Sequence, residues 1–292
     1  MSWGTPQGGR IAIEEKMRIE DPQMPPGQDP IVDAIAAQRR RQTTRFRLIV
    51  AITWVIMVAL IVGGLFAAGK IDLEFLGKWW TYILTGMWLT IGIAASSIAV
   101  AVVFALVGAI GRLSGNPVVY GLASFYVSLV RGTPLIVQIL FIFLALPQIW
   151  KGFAGIPVIV LGVFALAFNY GAYMTEVFRA GIQAVPRGQL EAAAALGMTD
   201  RLRMTRIVLP QAIRIVIPAI GNEFIAMIKD SALVSYMGVQ ELLWRAQRIG
   251  QSNFRTLETL LLAALVYWAL TIVFSIIQDR LEKRMAQSDV RI

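Results

Sequence analysis

Long uninterrupted apolar runs dominate this chain, and they restrict its fold more than any other feature of the sequence. Six runs reach or exceed the ~20 residues that a helix needs to cross the hydrocarbon core of a bilayer. They lie at about 47–68, 82–110, 118–146, 156–179, 211–234 and 257–278. Unpaired backbone polar groups are too costly in hydrocarbon, so such runs cross as helices. The sequence therefore predicts an all-α, polytopic membrane helix bundle.

Composition and charge agree with that interpretation. Apolar residues make up 57% of the chain and charged residues 15%, whereas soluble domains carry about 25% charged residues. The formal charge of +9 lies in short clusters between the runs, as in membrane proteins, and not on one basic face that would fit nucleic acid. Placing the N-terminus in the cytoplasm puts a roughly threefold excess of Lys and Arg inside. We therefore expect both termini and the loop 180–210 to be cytoplasmic.

Cysteine and histidine are both absent, and most catalytic sites need one or the other. Disulfides, thiol nucleophiles, His-based triads and Cys or His metal sites are excluded. The phosphate-binding pattern G-x-x-x-x-G-K-[ST] is absent as well. We therefore expect a protein that is not an enzyme and binds no metal or cofactor of its own.

The segments at the two ends are polar. Residues 1–46 are rich in Pro, Gly, Gln and Arg, which predicts a mostly disordered cytoplasmic tail with one short helix near 31–42. The run 47–68 follows an arginine cluster and is expected to be an uncleaved membrane anchor. Residues 281–292 are expected to form a cytoplasmic C-terminal tail. The segment 235–256 predicts a short interfacial helix.

The longest polar connection between the apolar runs, at 180–210, predicts two short helices separated by a break. Glu191 is expected in the first turn of the first helix, where a negative charge favours the helix dipole. Gly197 can take the left-handed conformation that ends this helix. Thr199 or Asp200 can then cap the second helix. Leu209-Pro210 is expected to stop that helix and turn the chain into the fifth run.

The sequence EAAAALGMTDRLRMTRIVLP begins at Glu191 and has a distinctive spacing. Three residues separate Glu191-Ala192-Ala193 from Gly197, nine more precede Ile207, and Leu209-Pro210 follows after one residue. This pattern resembles the EAA loop of the membrane permeases of ABC importers. The alternative is an ordinary amphipathic loop that lies on the membrane surface.

Other parts of the apolar core resemble the permeases for polar amino acids, of the histidine, glutamine, glutamate or arginine type. The similar stretches are Thr85-Gly86-Met87-Trp88-Leu89-Thr90, Arg131-Gly132-Thr133-Pro134-Leu135, Asn169-Tyr170-Gly171-Ala172-Tyr173 through Glu176, Arg179-Ala180-Gly181, Gly221-Asn222-Glu223-Phe224 and Lys229-Asp230. The resemblance implies a type I ABC importer permease fold over 82–280, with a coupling loop at 186–210. That family has a five-helix core, so the helix at 47–68 is an addition.

The resemblance implies a role in ATP-driven import of polar amino acids by alternating access. The loop would dock on a separate ATPase, which uses ATP and Mg. Implied partners are two ATPase subunits, a second permease subunit in a homodimer or heterodimer, and a solute-binding protein outside. The implied location is a bacterial plasma (inner) membrane. The implied coupling residues are Glu191, Ala192, Ala193, Leu196, Gly197, Ile207, Leu209 and Pro210.

Polar side chains inside the apolar runs are candidates for the substrate pathway, because an ionisable group at that depth needs a partner or water. Arg131 could hold a substrate carboxylate beside the helix break, or pair with an acid such as Glu176. Asn169, Tyr173 and Glu176 share one helical face, which could contact substrate or only join helices. The full candidate set is Arg131, Thr133, Asn169, Tyr173, Glu176, Asn222, Glu223, Lys229 and Asp230.

Rival functions fit the sequence less well. The cargo could be another small polar solute, such as an opine or a compatible solute. An ion-coupled secondary transporter predicts inverted repeats, and the sequence shows none. An intramembrane enzyme without His or Cys would need an Asp pair or a Ser-Lys arrangement, and no Asp pair lies within the apolar runs.

Overall fold

A computed structural model of the chain describes residues 30–69 and 71–286, and the described backbone is helical with short connections. The chain divides into two compact units, Met1–Gly69 and Lys70–Ile292. The first unit contains helix α1, Pro30–Ala67. The helices of the second unit are α2 (Leu73–Arg112), α3 (Pro117–Arg131), α4 (Leu135–Ile149), α5 (Val158–Gln183), α6 (Arg187–Ala195), α7 (Asp200–Met237), α8 (Leu242–Ser252) and α9 (Thr256–Ala286).

Helix α1 is longer than the sequence predicts. Its 38 residues correspond to about 57 Å at 1.5 Å per residue, well beyond a hydrocarbon core of ~30 Å. The helix expected near 31–42 is confirmed, but it is not a short one: that segment and the apolar run form one helix, because neither Gly nor Pro interrupts residues 31–62. The rest of the predicted tail, residues 1–29, lies outside the described residues.

The predicted apolar spans are present among the described residues. Five helical segments are long and apolar enough to cross a membrane, and a bent pair raises the number to six. The bent pair is α3 and α4, which meet at an angle of 106° across the break at 132–134. The interruption that Gly132 and Pro134 predict is therefore confirmed.

Helices α2 and α5 pack closely because small residues line their contact. Ser97, Ala101, Ala105 and Ala109 recur every four residues on α2, and all are buried. A Cβ atom on Gly171 of α5 would lie 2.5 Å from the Phe104 Cβ. The two helices thus form the rigid centre of the second unit.

Helix α8 begins at a buried carboxylate. Glu241 caps the helix by accepting from the Trp244 N–H at 2.9 Å, and it also accepts from the Tyr267 hydroxyl at 2.6 Å and the Thr90 hydroxyl at 3.0 Å. Its burial, in the connection between α7 and α9, raises the pKa of the Glu241 carboxyl. The hydrogen bonds tie α8 to α2 and α9, and they confirm a short helix within 235–256.

Candidate functional site

The polar loop after α5 forms a compact two-helix projection. Helix α6 begins at Arg187, directly after Pro186, and ends at Ala195. Glu191 therefore lies in the second turn, and the prediction that it interacts with the dipole in the first turn is wrong. The helix starts earlier because Pro186 takes the N-cap position. A backbone N–H has no partner within the helix at this end, so a proline that lacks one fits there.

The break between the two helices has the predicted geometry. Gly197 adopts φ +76°, in the left-handed region that favours glycine. The Gly197 N–H donates to the Ala194 carbonyl at 2.9 Å, and the Met198 N–H donates to the Ala193 carbonyl at 3.0 Å. These two bonds form a Schellman motif, which closes the C-terminus of α6. The Thr199 hydroxyl then accepts from the Leu202 N–H at 3.4 Å and caps α7.

The predicted stop at Leu209-Pro210 is wrong, because α7 continues without a break to Asp230 and then as a 3₁₀ turn to Met237. Pro210 has no N–H, and in a regular α-helix its ring would collide with the carbonyl four residues earlier. A π turn at Met204–Val208 ends two residues before the proline. This wider turn lets the helix accept Pro210 and carry on.

A glutamine pair joins the two arms of the projection. The Gln211 amide donates to the Gln189 side-chain oxygen at 2.8 Å and to the Ile207 carbonyl at 3.1 Å. At the tip, the Leu196 side chain is 82% exposed. A shallow apolar depression lies between the arms, lined by Gln189, Ala192, Ala193, Leu196, Met198, Arg206, Ile207 and Gln211. The geometry therefore presents an exposed apolar side chain at the tip of two arms that are joined by a hydrogen bond. Such a surface suits docking to another protein.

The break between α3 and α4 is held by a residue that the sequence reasoning missed. Pro134 has no N–H to donate to the Val130 carbonyl, as a continuous helix would require. The Gln138 amide replaces that donor at 2.7 Å, and it also donates to the Thr133 carbonyl at 3.1 Å and the Thr133 hydroxyl at 2.8 Å. The Asn169 amide of α5 donates to the Gln138 side-chain oxygen at 3.1 Å. A Gln four residues after an intramembrane Pro was the available signal.

The polar stripe on α5 does not converge on one site. Asn169 contacts Gln138, whereas the Tyr173 ring lies 5.3 Å from the Arg131 guanidinium carbon. Glu176 pairs with Arg112 and Arg179. The alternative pairing of Arg131 with Glu176 is therefore wrong, and Arg131 remains exposed beside the helix break.

A second polar group lies between α5 and α7. The Tyr170 hydroxyl, which the sequence reasoning did not select, donates to an Asp230 carboxylate oxygen at 2.8 Å. Glu223 lies seven residues before Asp230 and is half-buried on the same face of α7. Within the described part of the chain neither carboxylate has a Lys or Arg ion-pair partner, and the adjacent Lys229 is exposed.

Asn222 belongs to the contact between α7 and α9. Its amide donates to the Glu282 carboxylate at 3.4 Å. The Gln278 amide donates to the same carboxylate at 2.9 Å and to the Pro218 carbonyl at 2.8 Å. In this structure Asn222 joins helices.

Comparison with known proteins places these features in context. Residues 101–287 match the protein family described as binding-protein-dependent transport system inner membrane component. The probable amino-acid permease protein YxeN of Bacillus subtilis is 35% identical over 217 residues, which cover 74% of this chain and 97% of that protein. The arginine transport system permease protein ArtQ of the same organism is 35% identical over 208 residues, covering 71% and 94%.

Two solved structures are also similar. A chain in the crystal structure of an amino acid ABC transporter with histidines is 38% identical and has a TM-score of 0.69. That match covers 73% of this chain and 99% of the other. A chain of the MetNI methionine ABC transporter shares the fold with a TM-score of 0.56 at 18% identity, covering 70% and 95%.

Proposed function

Because this chain belongs to the family of binding-protein-dependent transport system inner membrane components, we propose that it forms the translocation pathway for polar amino acids. The chain is a multi-pass membrane permease of the ABC importer type. Among its relatives, YxeN and ArtQ are described as amino-acid and arginine permeases. These relatives give no support to the opine, compatible-solute or ion-coupled alternatives.

The observation that carries the coupling part of the proposal is the braced projection formed by α6 and the start of α7. Its Schellman turn at Gly197 and its Gln189–Gln211 bond make it stiff. Leu196 at the tip offers an apolar contact to a partner. A separate ATPase subunit that uses ATP and Mg would bind this tip and move the projection as a rigid body.

The pathway would use the polar groups around α5. An amino acid carries an ammonium and a carboxylate, so its passage needs groups of both signs. Glu223 and Asp230 offer carboxylates without a Lys or Arg partner in the described chain, and Arg131 offers an exposed guanidinium beside the helix break. Asn169 would act indirectly, because it orients the Gln138 that holds the break.

Membership of the same family also supports a proposal for the assembly. We propose two ATPase subunits on the cytoplasmic side, a second permease subunit, and a solute-binding protein outside. The excess of Lys and Arg supports a plasma membrane orientation with both termini in the cytoplasm. Closure of the ATPase pair would drive the bundle from inward to outward access.

The test is ATPase stimulation of the complete transporter in liposomes by binding protein loaded with each of the twenty amino acids. We expect stimulation and ATP-dependent uptake with one or a few polar amino acids and none with apolar ones. A Gly197→Arg variant should insert normally but lose the stimulation. Uptake that persists without ATP would contradict the proposal.

A further inference from the structure

A cluster of charged side chains joins the end of α2 to the last turns of α5 and also contacts α3. Arg112 is the last residue of α2, and Glu176 and Arg179 lie in the last turns of α5. One Glu176 carboxylate oxygen accepts from the Arg112 Nε at 3.1 Å. The other accepts from the Arg179 Nε at 2.8 Å and lies 2.7 Å from its Nη2. Both oxygens of one carboxylate are thus used by two arginines.

Arg112 also reaches α3. Its Nη1 donates to the Ser124 hydroxyl at 2.5 Å, and its guanidinium carbon lies 5.0 Å from the centre of the Tyr120 ring. One side chain therefore contacts α5 through Glu176 and α3 through Ser124. Arg179 extends the cluster toward the loop, because its Nη1 donates at 2.5 Å to Gln183, the last residue of α5.

The cluster is only partly accessible. The side chains of Arg112, Glu176 and Arg179 are 20%, 18% and 31% exposed. They lie on helices apolar enough to cross a membrane, where an ionised group needs a partner. The planar guanidinium fork fixes the geometry as well as the charge. Neutralising Glu176 would leave two arginines without their carboxylate.

The position of the cluster links the loop to the broken helix. Only residues 184–186 separate α5 from α6, so movement of the projection reaches α5 directly. Helices α2 and α5 pack so closely that a Cβ atom on Gly108 would collide with Thr175. Helix α3 joins this pair through Arg112 and through the Tyr126 hydroxyl, which donates to the Phe168 carbonyl at 2.7 Å. The opposite end of α3 is Arg131, at the break.

We propose that the Arg112–Glu176–Arg179 cluster is the joint that makes α3 follow α5 when the cytoplasmic projection moves. Glu176 and Arg112 are positioning residues for coupling, and Glu176 is not a substrate ligand. This inference rests on the proposed function, because it assumes that an ATPase moves the projection. It also explains why the polar residues on one face of α5 contact different partners, since Glu176 belongs to this cluster and not to the substrate pathway.

The distance test uses the absence of cysteine from the chain. Leu122→Cys on α3 and Ile159→Cys on α5 lie at exposed positions, with 68% and 39% exposure. Spin labels at both sites report the distance between the two helices in the complete transporter, without nucleotide and with trapped ATP. The native chain should keep one distance distribution in both states. Glu176→Gln should broaden or displace it when ATP is bound.

The functional test measures substrate molecules transported per ATP hydrolysed in liposomes. Glu176→Gln should lower this ratio roughly 2- to 30-fold, the range that mutations along a coupling path produce. Arg112→Gln should do the same, and it serves if Glu176→Gln fails to assemble. The matched control is Asp279→Asn, an exposed carboxylate on α9 without an ion pair among the described residues, which should leave both measurements unchanged.

The outcomes separate cleanly. If Glu176→Gln or Arg112→Gln kept both the native ratio of substrate transported per ATP hydrolysed and the native distance distribution, the proposed role of the cluster would be refuted. A loss of thermal stability with an unchanged ratio would also overturn it, because that result indicates a purely structural ion pair. Absence of ATP-dependent transport in the unsubstituted chain would instead refute the proposed function.

Discussion

Replacing Gly197 by alanine tests whether the turn at the tip of the projection sets the docking geometry. The residue has φ +76°, and no atom lies within 4 Å of the place where a Cβ would stand. The substitution therefore introduces no collision, and its cost comes from the backbone alone. A left-handed non-glycine residue costs about 1–2 kcal/mol, which corresponds to a factor of about 5 to 30 in an equilibrium.

The same loop contains a matched control. Gly188 is also open to space, but it lies within helix α6 and has no positive φ. Gly188→Ala should therefore stabilise the helix by up to about 1 kcal/mol. Gly197→Asn should fall between the native chain and Gly197→Ala, since asparagine tolerates the left-handed region better than alanine.

The assay is a titration of the ATPase subunit onto the purified permease in lipid nanodiscs. Gly197→Ala should raise the half-saturating concentration by about 5- to 30-fold, while membrane insertion stays normal. Gly188→Ala should bind like the native chain. Equal binding by Gly197→Ala and the native chain, or an equal loss in both alanine variants, would refute the reasoning.

Three further substitutions probe the packing that supports the site. Gln138→Leu should lower stability by about 1–3 kcal/mol, because it leaves the Val130 carbonyl without a donor; Gln148→Leu, at an exposed position, is its control, and thermal unfolding measures both. The raised pKa of Glu241 means that the folded chain holds this proton more tightly than the unfolded chain. The stabilisation that this proton provides is fully present below pH 4.5, the ordinary pKa of the carboxyl. It is lost as the pH rises through the pKa of Glu241 in the folded chain. Glu241→Gln should therefore flatten the fall in the unfolding midpoint as the pH rises above 4.5, and an unchanged slope would contradict this. Gly86→Ala should destabilise by about 1–3 kcal/mol, because its Cβ would lie 2.8 Å from the Leu242 backbone. Gly92→Ala, on the same helix with open space around it, should not.

Local features of the backbone were accessible from the sequence. The lengths of the apolar runs predicted the spans, and Gly132 with Pro134 predicted the break between α3 and α4. Gly197 predicted a left-handed turn, which the structure confirms. Each of these depends on a residue's own conformational preferences or on the hydropathy of its immediate neighbours, so no knowledge of distant contacts is needed.

Corrections came where two local preferences compete. Pro210 favours an end to its helix, but a π turn that ends two residues before it allows α7 to continue. The polar segment near 31–42 favours a separate short helix, but nothing between it and the apolar run breaks the backbone. In both places continuity of the helix prevails, because a short local adjustment costs less than exposing a new set of helix-end groups.

The sequence by itself determined which polar residues lie within apolar helices, and only the tertiary structure decided how they pair. Glu176 could have met Arg131, yet the packing of α2 on α5 brings it to Arg112. The place of Gln138 four residues after Pro134 was visible in the sequence, but its contact with Asn169 depends on how α5 packs beside the break. The physical reason is that helical periodicity defines a face, whereas the partner on that face depends on how helices distant in sequence cross. Close contacts such as that of Gly108 with Thr175 set those crossings.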